Sequence, residues 1–447
     1  MVAALLSVTA CGSNRFDGDA GASTDSGTVF DAPAFPDAGA EAGCGLTCEV
    51  VACDGGAHTT ISGTVYDPGG NNPLYDALVY IPKFPNDPLP VIKHGPSCDV
   101  CAATISNVVA VTLSDANGKF TLTDVPVGQD IPLVVQIGKW RRAYTMPSPV
   151  VACQDNPFPN SATPSDRLRL PAKQSEGDMP RIALSTGCDP MNDLFAKVGI
   201  DPTEFTSSSG SGAVHVYQGK QSDFPLTGST DAYAFWDDAN AMSQYDILIN
   251  SCECGPYPRG NTAHTNLDAY LNAGGRFFGS HYQINFFDGL LDEGATEPAA
   301  ADMKNAANWA SDWGIPGPGP WAIDTSFPKG KAMADWMHGV FPSDAYGSVP
   351  IDPATSIVED IASTKPGLSQ QWIYDSSDQI PAYISINTPT TADPDKRCGR
   401  AVLADLHVGS TSTLSLTEQE ASLEFMFFDL AACVIDDAKP PPVPQPN

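Results

Sequence analysis

The hydrophobic period changes once along this 447-residue chain, and that change limits the folds open to it. From His58 onward apolar residues alternate in short runs: TTISGTVYDP, LYDALVYIPK, VVAVTLSDANGKFTLTDVPVG and IPLVVQIGKWRRAYTMP. Period-two alternation with Asn-Gly and Pro-Gly-Gly punctuation predicts an antiparallel β-sandwich over residues 58–172. After LPAKQSEGDMPRIAL, buried strands alternate with helical spacing. RIALS, AVHVYQ, YDILINS, RFFGSH and GRAVLADLHVG read as strands, and DPMNDLFAKVGI, NTAHTNLDAYLNAGG and LTEQEASLEFMFFDLAACV as helices. Thr417 and Glu420 give the last helix a capping-box signature. Residues 180–436 are therefore expected to form a doubly wound, mostly parallel α/β domain, so the chain is multidomain. Within it, residues 288–395 hold most of the tryptophans and few clean periods. They read as insertions at the rim of the sheet, where α/β folds place binding loops.

The ends differ in kind. MVAALLSVTAC (1–11) resembles the end of a bacterial lipoprotein signal, with Cys11 as the lipidated residue. Residues 12–43, rich in Gly, Ala, Asp, Ser and Pro, have little to bury and read as a disordered tether. Residues 44–57 form a Cys-rich cap, and 437–447 a Pro-rich tail. We expect an outer-membrane lipoprotein or an extracellular protein whose partner is the cell envelope surface, touching the membrane only through a lipid anchor. The 23 Lys and Arg against 53 Asp and Glu give a formal charge of −30, which repels nucleic acid.

Twelve cysteines suit an oxidising compartment. Setting Cys11 aside leaves Cys44, Cys48, Cys53, Cys98, Cys101, Cys153, Cys188, Cys252, Cys254, Cys398 and Cys433 as disulfide candidates. Eleven is odd, so at least one is free or pairs with another chain. CDVC at 98–101 is expected to make structural disulfides, either internally or to neighbours such as Cys153, rather than a redox or zinc motif. Cys252 and Cys254, one residue apart, are expected in disulfides too.

In an open parallel sheet, ligands bind beyond the carboxyl ends of the strands. Three strand ends supply polar residues there: Cys252, Glu253 and Cys254; Ser280, His281 and Tyr282; Asp405 and His407. If their strands are neighbours, His281 and His407 converge with Glu253 or Asp405. Two imidazoles and a carboxylate suffice for a divalent metal site or for acid–base work on a sugar. No cofactor is predicted otherwise. Tyr282, Trp309, Trp313 and Trp321 are the candidate aromatic rim of a carbohydrate cleft, with core packing as the alternative.

SDANGKFTLTDVPVG and SGTVYDPGGNNPLYDALVYIP resemble the carboxypeptidase regulatory-like domain, which implies a structural or ligand-contacting accessory. YDILINSCECG, NLDAYLNAGGRFFGSHY and GRAVLADLH together resemble the glutamine-amidotransferase-like fold and its ThuA-like relatives, which implies a flavodoxin-like strand layout. In that family the strand after the double glycine ends in Gly-x-Cys-x-Gly. Here the stretch is Gly279-Ser280-His281-Tyr282-Gln283, so His281 stands where the nucleophile would be and Gln283 replaces the second glycine. His407 matches the family's base, but Gly409 replaces the glutamate that follows it. Glutamine hydrolysis is thereby excluded. The combination of both parts is similar to uncharacterised lipoproteins of predatory and social soil bacteria of the myxobacterial type. We read the chain as a non-enzymatic binding or structural module with carbohydrate as the candidate ligand. The alternative is a secreted carbohydrate-active or metal-dependent enzyme using His281, His407 and a nearby carboxylate.

Overall fold

Alternating residues on the central strands bury toward opposite faces, and each face has its own cover. The computed structural model of the chain describes residues 43–291, 295–314, 320–351, 359–405, 407 and 415–447, without the side chains of 311–314 and 359–360. Cys11, the tether up to residue 42, the Trp313 side chain and Gly409 lie outside the described residues. Cys44–Asn447 forms one unit.

An antiparallel β-rich region comes first. Its strands are β1 (Thr60–Thr64), β2 (Leu78–Pro82), β3 (Thr104–Ile105), β4 (Val108–Leu113), β5 (Lys119–Thr123), β6 (Pro132–Ile137) and β7 (Trp140–Thr145). They pair as a four-stranded sheet in the order β4-β2-β6-β7 and a separate β1-β5 pair. The turn at 115–118 is closed by the Asp115 carboxylate, which accepts the backbone N–H groups of Asn117 and Lys119 at 2.8 and 2.9 Å.

A larger mixed α/β region follows. Its strands are β8 (Ile182–Ser185), β9 (Phe205–Ser207), β10 (Val214–Gln218), β11 (Thr230–Asp231), β12 (Ile247–Asn250), β13 (Arg276–Ser280), β14 (Ala307–Gly314), β15 (Trp321–Ile323), β16 (Glu359–Thr364), β17 (Ser369–Asp375), β18 (Pro381–Thr388), β19 (Gly399–Ala404) and β20 (Gln445–Pro446). Four longer helices accompany them: α1 (Met191–Val198), α2 (Gly260–Asn272), α3 (Pro328–Val340) and α4 (Glu418–Ala431). The main sheet runs β11-β10-β8-β12-β13-β19-β18-β17-β15, with β9 beside β10. Pairing is parallel from β11 to β19 and antiparallel beyond. Residues β8, β12, β13 and β19 are buried throughout, which explains why they read as continuous apolar runs.

Ile182, Leu184, Ile247, Ile249 and Val402 join one core cluster, which also holds α1, α4 and the interior of the β-rich region. Ala183, Leu248, Phe277, Ala401 and Leu403 face the other, with α2. Helix α4 is the centre of the first cluster. It is buried from Gln419 to Ala431, as a helix with apolar residues on every side must be. The sheet lies on one side of it, and Trp140 and Tyr75 of the β-rich region meet its Phe427 and Phe425 at 5.5 and 5.7 Å. The capping box at Thr417 and Glu420 is formed.

Five disulfides join described residues: Cys44–Cys48, Cys53–Cys153, Cys98–Cys398, Cys101–Cys433 and Cys188–Cys254. Cys98 and Cys101 therefore bridge the two regions, not each other or Cys153, because the loop carrying them lies against β19 and the end of α4. Cys252 is free and buried, which corrects its expected place in a disulfide. Residues 288–395 also differ from the expected rim insertions. They add β15, β17 and β18 to the main sheet, and β14 pairs with β16. Bulges in β17 break its alternation, which is why its sequence hides the strand. The Pro-rich end is pinned as well, with β20 parallel to β3. Among the described residues, no helix is long and apolar enough to cross a membrane.

Candidate metal centre

Four neighbouring parallel strands, β8, β12, β13 and β19, deliver Asp189, Cys252, His281 and His407 just past their carboxyl ends. Sheet order changes direction at β8, between β10 and β12, and such a switch point opens a crevice above the strands.

His281 follows β13 on a sharp turn. Its backbone sits at φ 45, a left-handed conformation that costs a non-glycine residue energy and persists only where surroundings enforce it. Gly279 lets the following turn fold back closely, since a Cβ there would lie 3.2 Å from both Gln283 Cβ and Phe287 Cε2. Gln283, in place of a glycine, is wholly buried. Its amide oxygen accepts from Asn250 Nδ2 and Arg259 Nη2, both at 2.7 Å, and its Nε2 donates to Ser251 O at 2.7 Å.

The imidazoles of His281 and His407 lie edge to face, 4.3 Å between ring centroids. Cys252 Sγ is 3.2 Å from His281 Nδ1. One ligand atom each from Cys252, His281 and His407 falls within 4.8 Å of the others. Asp189 organises the group. Its Oδ1 accepts from His407 Nδ1 at 2.5 Å, and its Oδ2 accepts from Ser280 Oγ at 2.7 Å. Ser280 Oγ in turn accepts the Cys252 backbone N–H at 2.9 Å. With the proton of His407 placed on Nδ1 by this carboxylate, its Nε2 lone pair is free to bind, the usual carboxylate–histidine arrangement behind a metal ligand.

Electrostatics separate two uses of a thiol beside an imidazole. Burial first, and His407 second, push His281 down to about 2, so it is neutral. Burial first, and then Asp189, push the Cys252 thiol well above its usual value. At rest the pair is thus a neutral thiol and a neutral imidazole, not a thiolate–imidazolium ion pair. It fits a cation instead. His281 Nε2 is buried without a hydrogen-bond partner, and a Cys-His-His donor set suits a transition ion that keeps an open position. A second sulfur group, Cys188, Cys252 and Cys254, is as compact. Two of its three sulfurs are bonded to each other, so as it stands it offers only Cys252.

The remaining expected site residues are placed as follows. Glu253 turns away from the imidazoles. It is fully buried, with Oε2 2.6 Å from Arg259 Nη2 and accepting from Tyr233 OH at 3.0 Å. Asp405 is buried, and its backbone N–H donates to Ala382 O at 2.7 Å. Tyr282 is half-buried beside His281, its ring centroid 3.9 Å from the imidazole. Trp309 is half-buried and donates its indole N–H to Lys304 O. Trp321 is a correction: it is buried in the first core cluster rather than presented at a rim. Cys252 and Asp189 had no place in the expected metal set. The rule that flagged the other strand ends also covers Asp189, in STGCDP after β8.

The convergence of a buried thiol and two imidazoles, with His281 Nε2 buried and unpartnered, overturns the expectation of a non-enzymatic module, because such a set of ligand atoms forms a plausible metal site. No protein-family model matches the chain, and no curated protein matches it. Among solved structures, the exo-beta-1,4-mannosidase Op5Man5 from Opitutaceae bacterium strain TAV5 matches at 14% identity with a TM-score of 0.26, over 59% of this chain and 38% of the mannosidase. The chain spans well under half of that enzyme, and a likeness this slight carries no argument.

Proposed function

We propose that the chain is a metal-dependent enzyme of the cell surface, with a divalent transition ion held by Cys252 Sγ, a ring nitrogen of His281 and His407 Nε2. The observation that carries this reading is the convergence of those three ligand atoms within 4.8 Å, with the other nitrogen of His407 held by Asp189. Zinc is the ion the donor set suits best. Such an ion supplies Lewis acidity to a substrate oxygen or to water at its open position. The chain's own residues do the rest. Asp189 fixes the His407 ring and keeps its proton on Nδ1. Ser280 hands that orientation on to the Cys252 backbone, and the turn at His281 holds the second imidazole against the first. Tyr282 offers the aromatic face against which a sugar ring would lie.

The strand layout β10-β8-β12-β13-β19 and the turn at His281 support kinship with the amidotransferase-like, ThuA-like fold. The antiparallel region supports a carboxypeptidase regulatory-like accessory. Cys11 would anchor the protein to the envelope by lipid. Elemental analysis of the purified chain tests the central claim. About one equivalent of metal is expected in the native protein, and almost none in Cys252→Ser, His281→Ala or His407→Ala. A native protein that takes up no zinc when reconstituted would sink it.

A further inference from the structure

Next to the candidate centre, a partly exposed disulfide touches the loop that carries its buried thiol ligand. The sulfurs of Cys188, Cys252 and Cys254 lie within 4.8 Å of one another, with Cys188 half-buried, Cys254 exposed and Cys252 buried. Two backbone bonds hold their loops together: Cys188 N–H and Asp189 N–H both donate to Cys252 O, at 2.7 and 3.3 Å. Gly187 allows this approach, since a Cβ there would stand 1.9 Å from the same oxygen. Cys254 N–H donates to Cys252 Sγ at 3.2 Å, and His281 Nδ1 lies 3.2 Å from it on another side. A thiol, a disulfide within reach and a backbone donor to the attacking sulfur are the parts of a thiol–disulfide exchange site.

We infer that Cys252 exchanges with the Cys188–Cys254 disulfide, so that bond isomerisation switches the metal centre off; the switching role rests on the metal reading, whereas the exchange does not. Cys252 Sγ gives up its proton to water and attacks Cys188 Sγ. The Cys188–Cys252 bond forms while the Cys188–Cys254 bond breaks, and Cys254 leaves with the electron pair. The proton then reaches the Cys254 thiolate, so no external oxidant or reductant is consumed. Cys188 is the sulfur attacked because the departing Cys254 is exposed and its thiolate is solvated by water. In the product a ligand is lost to the new bond and an exposed thiol appears. Cys252, if it held a metal ion, would be unavailable for the step.

Zinc-loaded and chelator-stripped full-length chains, incubated without added thiol, would be quenched in acid, alkylated with N-ethylmaleimide under denaturing conditions and mapped by mass spectrometry. In loaded protein the label falls on Cys252 and the bridge is Cys188–Cys254. In stripped protein the label on Cys254 rises about tenfold and a Cys188–Cys252 bridge appears. Label remaining on Cys252 after stripping would overturn the exchange. So would label on Cys254 in Cys252→Ser, since the bridge would then be opening by another route. If the chain takes up no zinc but its label moves to Cys254, the metal reading fails and the exchange stands. If it takes up zinc and stripping moves no label, the exchange fails and the metal reading stands.

Discussion

Two buried polar clusters in this protein have opposite characters. Around α4, Asp429 lies 2.7 Å from Lys329 Nζ and 2.6 Å from Arg400 Nη2, and Arg400 Nη1 lies 3.1 Å from Asp437. Each charge there meets an opposite charge, and the group ties α3, α4 and β19 together. At the carboxyl ends of the sheet, Cys252 and His281 are neutral, and His281 Nε2 has no partner. A buried cluster whose charges are all matched holds the fold. One complete only when a cation arrives is a site, and the difference shows in what each loses on mutation.

The largest effect should come from the complete cluster. Asp429→Ala strands the buried Lys329, leaves Arg400 with Asp437 alone, and should cost about 3–5 kcal/mol in denaturant unfolding, whether or not metal is present. A loss below about 1 kcal/mol would erase the contrast between the clusters. Next, Asp189→Asn keeps the shape but removes the charge behind His407, and zinc affinity by competition titration should weaken about 10–100-fold. Unchanged affinity would remove Asp189 from the centre.

A smaller effect concerns pH. Burial first raises Asp67 and Asp76 to about 7, and it raises Glu424, close to Asp67, well above its usual value. These carboxyls hold protons in the folded state that the unfolded chain has lost. Their stabilisation is whole below about pH 4 and is lost as pH rises through about 7. Asp429 has the reverse sign. Burial alone would raise it, but Arg400 and Lys329 hold it below the usual carboxylate range, so its contribution fades as pH falls below about 4. Thermal unfolding should therefore shift downward by a few degrees between pH 5 and 8, and less so in Glu424→Gln. A flat profile over that range would show these carboxyls ionised in the fold. The smallest change is expected in Cys252→Ser: metal is lost while metal-free stability moves by about 1 kcal/mol or less.

Much of the fold was legible because strands buried on both faces leave unbroken apolar runs, as in ILIN and RFFGS. The embrace of α4 was half legible. FMFFDLAA announces a helix covered on every side, but nothing in it says that Trp140 and Tyr75 supply the cover. At the site, pattern reading reached His281 and His407 and failed one residue away. Side chains alternate in direction past a strand end, so Cys252 points at the imidazoles while Glu253 points at Arg259. The odd count of cysteines required a free or intermolecular thiol without saying which. Aromatic residues such as Trp321 went to the core, where their area is best buried.

The bridges Cys98–Cys398 and Cys101–Cys433, spanning 300 and 332 residues, also set an order in time. As the chain is synthesised, Cys98 and Cys101 emerge together long before either partner exists, with each other as the nearest mate. Any bond they make early has to be undone, and the two long bridges can close only once Cys398 and Cys433 have appeared. Maturation of this protein is thus timed by the arrival of Cys433.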